Sequence, residues 1–240
     1  ALKAAAETGV ETVIGVGINT ESSRRILEIA SRPVPVRLLP AVGLYPDEVT
    51  ADELESILSL IDENHEKLRA VGEIGLDYWI RDLRENKPGR EEKKKLMKDA
   101  LAEQLERARE YSLLPVVHSR GAWKDCLELV RRSGVERALF HWYSGPVEIL
   151  DEILSEGHYV SATPAGAYSP HLRAVLQRAP LDRIVLETDC PVPRREGEKR
   201  IPTGPADLVY SLTALAELKG VSEEETARIT AENAREIFKP

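Results

Sequence analysis

Seven short, almost unbroken apolar runs recur along the chain, and charged amphipathic stretches separate them. The runs cover residues 10–18, 38–45, 70–78, 114–120, 137–144, 158–163 and 183–189. Apolar runs that do not alternate predict strands buried on both faces, as in a parallel sheet covered by helices. The stretches between them keep a helical period. Residues 21–30 place Ile26, Leu27 and Ile29 to one side. Residues 47–69 carry Leu54, Ile57, Leu58, Leu60 and Ile61, with Asp47 as the expected N-cap. Residues 91–111 repeat Leu96, Ala100, Leu101, Leu105 and Ala108. Further helices are expected over 123–131, 147–154, 171–177 and 206–219. A last one over 222–238 opens with Ser222 and Glu225 at capping-box spacing.

Strands alternating with helices predict an α/β fold with parallel strands and right-handed crossovers. Seven strands are counted where a TIM-type (β/α)8 barrel needs eight. Residues 1–9 read as the tail of a helix feeding the first run. The expectation is therefore such a barrel, with its first strand upstream of Ala1. An open, doubly wound sheet is the alternative. Polar residues at so many strand ends favour the barrel. Without an internal repeat, linker or low-complexity tract, residues 1–240 read as a single domain.

Composition narrows the class. The 240 residues are 42% hydrophobic and 31% charged, enough for a proper core and incompatible with global disorder. No apolar run approaches the ~20 residues of a membrane span. Two cysteines, Cys126 and Cys190, are too few for a disulfide scaffold and fit a reducing cytoplasm. A net charge of −8 argues against a broad basic face on duplex DNA. It leaves room for a small acidic site that holds cations.

Active sites of such barrels lie at the C-terminal ends of the strands. The third run carries Glu73 and Asp77, the fourth His118 and Arg120, and the fifth His141. The seventh ends in Glu187, Thr188 and Asp189. Buried strands rarely accept unpaired charge. Two histidines and two carboxylates at strand ends are instead how a divalent-metal site is assembled. Imidazole and carboxylate without thiolate suit Zn, Mn or Mg. Each residue alone has a plainer meaning: His118 as a hydrogen-bonded core histidine, Asp189 as a partner of Arg183. Their joint occurrence outweighs it. His65 is expected to be solvated, His158 structural and His171 on the surface. Cys126 is expected in the core, and Cys190 as a small buried residue.

The same residues lie in segments that resemble the TatD-type metal-dependent deoxyribonucleases of the amidohydrolase superfamily. GVGINTESSRR (15–25) is similar to the family's second-strand segment, and AVGEIGLDY (70–78) resembles its most recognisable motif. LPVVHSR (114–120), FHWYSG (140–145), LETDCP (186–191) and TAENAREIF (230–238) match in order and at fitting spacing. The resemblance implies that Glu73 bridges two divalent metal ions, that His118 and His141 hold one, and that Asp189 holds the other. Two departures stand out. The family opens with a strand bearing an HxH pair, and no HxH occurs in this sequence; its place would fall upstream of Ala1. Tyr45 and Asp47 also stand where many relatives have histidines facing the site mouth.

What the resemblance implies is metal-dependent hydrolysis of a phosphodiester, most simply as a 3′–5′ exonuclease on single-stranded DNA ends. Glu73 and Asp189 are then the catalytic carboxylates, Asp189 also accepting the proton of the attacking water. Arg120, Arg200 and Tyr78 are the expected substrate-binding residues. Arg81, Arg84, Arg194, Arg195 and Lys199 add positive charge in the predicted mouth loops. Tyr78, Trp79, Trp142 and Tyr143 are aromatic candidates for stacking on an unpaired base, with core packing the plainer role for Trp142. Two other functions compete. The same metals could cleave another ester, such as an aminoacyl-tRNA or a lactone. Without the HxH strand, the chain could be a non-catalytic scaffold.

Overall fold

The computed structural model of the protein describes residues 1–85 and 88–239. Seven strands follow one another in chain order in one sheet: β1 (Thr12–Val16), β2 (Arg37–Val42), β3 (Ala70–Asp77), β4 (Leu114–Arg120), β5 (Leu139–Phe140), β6 (Tyr159–Ala162) and β7 (Ile184–Leu186). The pairs β2–β3, β3–β4, β4–β5 and β6–β7 are parallel. The expected run of seven parallel strands separated by helices is therefore present. By its contacts the chain falls into two compact units. One comprises Ala1–Val13, Pro33–Leu38 and His141–Lys239; the other comprises Ile14–Arg32 and Leu39–Phe140.

In the second of these, β2 to β5 lie with α2 (Thr20–Ala30), α3 (Ala51–Asn64), α4 (Arg81–Arg84), α5 (Arg90–Glu110) and α6 (Trp123–Ser133). The apolar stripes expected for α3 and α5 are buried: Ile57, Ile61, Leu101 and Leu105 are fully covered, as are Ile74 and Leu76 of β3. Buried Gln104 satisfies the backbone where β2 ends, accepting from the Leu44 N–H at 2.7 Å. Strands β3 and β4 run unusually close. Gly75 has φ +147°, and a Cβ placed there would lie 1.9 Å from the His118 carbonyl oxygen, so glycine is required.

The other unit holds α1 (Leu2–Glu7), β6, β7, α7 (Val147–Ser155), α8 (Pro170–Arg178), α9 (Leu208–Lys219) and α10 (Glu223–Phe238). Leu150, Ile153, Val160, Leu172, Leu176, Ile184 and Leu215 form its core. Buried Asn233 of α10 donates to the Leu181 and Ile184 carbonyls at 2.9 and 2.7 Å, tying the closing helix to β7.

Several elements differ from expectation. Helix α3 starts at Ala51 because Thr50, not Asp47, caps it: the Thr50 hydroxyl accepts from the Glu53 N–H at 3.2 Å. Asp47 lies in a 3-10 turn and pairs with Lys93 at 3.0 Å. Strands β5 and β7 are shorter than their apolar runs. Downstream of them, Trp142 (φ 40°) and Asp189 (φ 51°) adopt left-handed backbone that a strand cannot continue through. The basic stretch expected as a loop is an antiparallel hairpin of β8 (Arg194–Glu196) and β9 (Lys199–Ile201).

Candidate metal centre

The β3–β4 ladder pairs Ala70 with Leu114 and Val71 with Pro115, then shifts register before Ile74. Glu73 occupies that irregularity, and a bulge of this kind re-aims a side chain out of the regular alternation. Register resumes with Gly75 opposite His118 and Asp77 opposite Arg120. Pairing of the two strands thus sets four polar side chains together although 41 to 47 positions of sequence separate them.

His118 lies between two carboxylates. Its Nδ1 is 2.9 Å from Glu73 Oε1 and its Nε2 is 3.3 Å from Asp77 Oδ2. A neutral imidazole carries one N–H only. With Nε2–H given to Asp77, the Nδ1 lone pair faces the lone pairs of Glu73, an arrangement that a bound cation or a second proton must relieve. Glu73 and His118 are largely covered, and Asp77 is wholly buried.

Asp77 organises this half of the site. Its Oδ2 accepts from Arg120 Nε at 2.9 Å, Arg120 Nη2 at 2.5 Å and the Tyr45 hydroxyl at 3.2 Å; its Oδ1 accepts from the Trp79 N–H at 2.8 Å. Burial acts to raise the carboxyl's pKa. The hydrogen bonds from His118 and Arg120 outweigh it and hold Asp77 at about 2. The bond to Asp77 in turn holds Arg120 above its ordinary range. Tyr45 packs edge-on against His118, ring centroids 5.0 Å apart, and burial followed by the charges of Asp77 and Glu73 pushes its hydroxyl up. Tyr45 is therefore a wall of the His118 site.

His141 follows β5 directly and is buried. Its Nδ1 is 3.6 Å from Glu187 Oε1. Glu187 is fixed by Ser161 Oγ at 2.6 Å and by the Trp142 N–H at 3.0 Å. Asp189 follows two residues later and is partly buried. Each candidate histidine thus has a carboxylate behind it, Asp77 for His118 and Glu187 for His141, the usual support for a metal-ligating imidazole. Both carboxylates stand at the third and seventh strand ends of the sequence, but their proximity to the histidines comes from side-chain packing that no local pattern contains. Within one unit Glu73 and His118 offer atoms that could ligate a metal ion, and within the other His141 does. Carboxylate and imidazole donors without thiolate, partly to fully buried, fit a divalent cation.

Arg120 keeps nearly half of its side chain exposed. Arg200 is exposed on β9. The Tyr78 hydroxyl donates to Asp125 at 2.5 Å and Lys94 lies over its ring, so this side chain is already engaged. Arg194 stacks on Tyr210 at 3.8 Å and pairs with Glu196 and Asp207, which makes it a clasp of the hairpin. Cys126 is buried as expected, whereas Cys190 is exposed, because the chain leaves the sheet before reaching it. His65 is not simply solvated: it stacks on Tyr111 at 4.2 Å. His158 is buried and His171 exposed, in line with expectation.

The family model for TatD related DNase matches residues 1–239. Human deoxyribonuclease TATDN3 is 28% identical over 246 residues, covering 99% of this chain and 87% of that protein. YabD of Bacillus subtilis, an uncharacterized metal-dependent hydrolase, is 30% identical over 239 residues, covering 96% of this chain and 88% of its own length. The crystal structure of YJJV, a TatD homolog from Escherichia coli, superposes with a TM-score of 0.87 at 26% identity, covering all of this chain and 90% of that one. These define a class of metal-dependent hydrolases with a TIM-type α/β fold. The chain belongs to the TatD family within it. No described helix is long and apolar enough to cross a membrane.

Proposed function

We propose that this chain acts, as one domain, as a metal-dependent phosphodiesterase that shortens DNA from its 3′ end, with a preference for single-stranded ends. Glu73, His118, His141 and Asp189 are the protein's ligands in this proposal, for two divalent cations drawn from Mg, Mn or Zn. The observation that carries it is the His118 imidazole set between the Glu73 and Asp77 carboxylates. The name of the human relative supports the choice of DNA, and two free cysteines fit a cytoplasmic setting.

Bound cations would supply Lewis-acid polarisation of the phosphodiester and a lowered pKa for the attacking water. The chain's own residues do the rest. Asp77 fixes the His118 ring through Nε2–H and leaves Nδ1 as the donor atom. It also anchors Arg120, whose exposed remainder grips a non-bridging phosphate oxygen. Arg200 grips a second phosphate. Tyr78, locked by Asp125 and Lys94, forms a fixed wall of the substrate path. Asp189 takes the proton of the attacking water.

The test is incubation with 5′-labelled single-stranded DNA and Mg²⁺ or Mn²⁺. A ladder shortening from the 3′ end, abolished by EDTA and by Glu73→Ala, is the expected result. A strand left at full length with every cation overturns the proposal. An Asp189→Asn variant that binds metal yet loses turnover supports the proton-accepting role; unchanged turnover refutes it.

A further inference from the structure

Four aromatic residues follow the strand ends at the expected substrate mouth, and the structure separates them. Tyr143 is fully buried, with its hydroxyl on the Pro146 carbonyl at 2.8 Å. Tyr78 is engaged by Asp125 and Lys94. Trp142 is half-buried, its backbone N–H held by Ser161 and Glu187. Trp79 is 54% exposed, more than any other large hydrophobic side chain among the described residues.

Exposure of a single apolar ring is ordinary on a protein surface. Here the ring is also fixed. The Trp79 N–H donates to Asp77, the carboxylate that holds His118 and Arg120. One edge of the indole lies on the backbone of Gly121, at φ +70°. A Cβ there would be 2.5 Å from the indole Nε1 and 2.6 Å from Cδ1, so Gly121 leaves space for the ring. Trp123 meets it edge-on, with centroids 6.0 Å apart and planes at 82°. Such an indole loses little conformational freedom when something stacks on its exposed part. Cationic side chains adjoin it in sequence: Arg120 precedes Gly121 and is 48% exposed, and Arg81, two positions on, is 81% exposed and pairs with Glu85 at 2.8 Å.

From this we propose that Trp79 is a stacking platform for an unpaired nucleobase of the substrate strand, an inference that rests on the nuclease function proposed above. A fixed indole beside a phosphate-gripping arginine is the combination by which proteins hold single-stranded nucleic acid. Bases inside a duplex have both faces covered by neighbours, so a platform of this kind selects unpaired or frayed ends. Asp77 links the two tasks, since one carboxylate bonds the ligand histidine, the arginine and the platform's backbone.

The experiment compares parent, Trp79→Ala and Trp79→Phe on a single-stranded oligothymidylate and on strands with an abasic site walked along the 3′ end. Trp79→Ala raises KM about tenfold with kcat within about threefold, and Trp79→Phe stays near the parent. An abasic site at the stacked position raises KM for the parent and leaves Trp79→Ala unchanged. A second readout needs no turnover: titrating EDTA-treated protein with the oligonucleotide quenches tryptophan fluorescence in the parent and not in Trp79→Phe. Circular dichroism confirms that the variants fold. Equal KM for parent and Trp79→Ala, or equal quenching in parent and Trp79→Phe, overturns the platform while leaving the nuclease intact. A parent that cleaves no strand overturns the nuclease function itself, and the platform with it.

Discussion

Among single residues, Asp77 makes the most contacts around His118. Asp77 is buried, takes bonds from Arg120, Tyr45, His118 and the Trp79 backbone, and is held at about 2 against an ordinary 3.8. A depressed carboxyl contributes stability that is complete above its unfolded pKa and lost as pH falls through its folded one. In EDTA-treated protein, Asp77→Asn is expected to lose on the order of 2 kcal/mol at pH 7. The gap to the parent should close as pH drops from about 4 to about 2. Urea unfolding across that range checks both the size and the sign. With metal present, the same variant should bind the cation about 10- to 100-fold more weakly, because the imidazole loses its orienting partner. Isothermal titration with Mn²⁺ measures this directly, and unchanged affinity would show that Asp77 does not support His118.

At the scale of elements, patterning and capping were legible where the signal is local. Ser222 caps α10 by accepting from the Glu225 N–H at 3.2 Å, as its spacing predicts. Asp47 misled because its carboxylate is drawn to Lys93 on another helix, a contact no local rule contains. Thr50 takes the cap instead. Thr50→Ala should therefore cost about 1 kcal/mol of stability, and Asp47→Ala much less, by thermal or urea unfolding. Gly75 offers the harsher test of the strand pair. A Cβ 1.9 Å from the His118 carbonyl cannot fit unless β3 and β4 part. Gly75→Ala should destabilise by about 3 kcal/mol or more and weaken metal binding together with stability, since His118 moves with its strand.

At the scale of the whole molecule, a cation that binds only the folded chain must raise its melting temperature. EDTA should lower Tm and abolish hydrolysis, and added Mn²⁺, Mg²⁺ or Zn²⁺ should restore both; a Tm indifferent to chelation would contradict a built metal centre. In the proposed complex with DNA, a net charge of −8 leaves the attraction to a few cationic side chains. With Arg120 and Arg200 as the two phosphate grips, binding of a single strand should fall with salt at a log–log slope of about −1.4. Arg120→Ala should reduce that slope by about 0.7 in a fluorescence-anisotropy titration.

By itself the sequence determined the class of fold, the seven strands and most helices, because buried parallel strands and amphipathic helices write their periods locally. It also singled out Glu73, His118, His141 and Asp189 as candidates, since polar and titratable side chains at the ends of buried strands are costly without a partner. Tertiary structure decided what depends on distant pairing. The β3–β4 register put Asp77 against Arg120 and His118, packing brought Glu187 within 3.6 Å of His141, and Arg194 proved to be a clasp of a hairpin. Of four aromatics beside strand ends, packing buried Tyr143, engaged Tyr78, half-buried Trp142 and left Trp79 fixed and exposed. Burial and hydrogen-bond partners are properties of the assembled chain, and no local pattern encodes them.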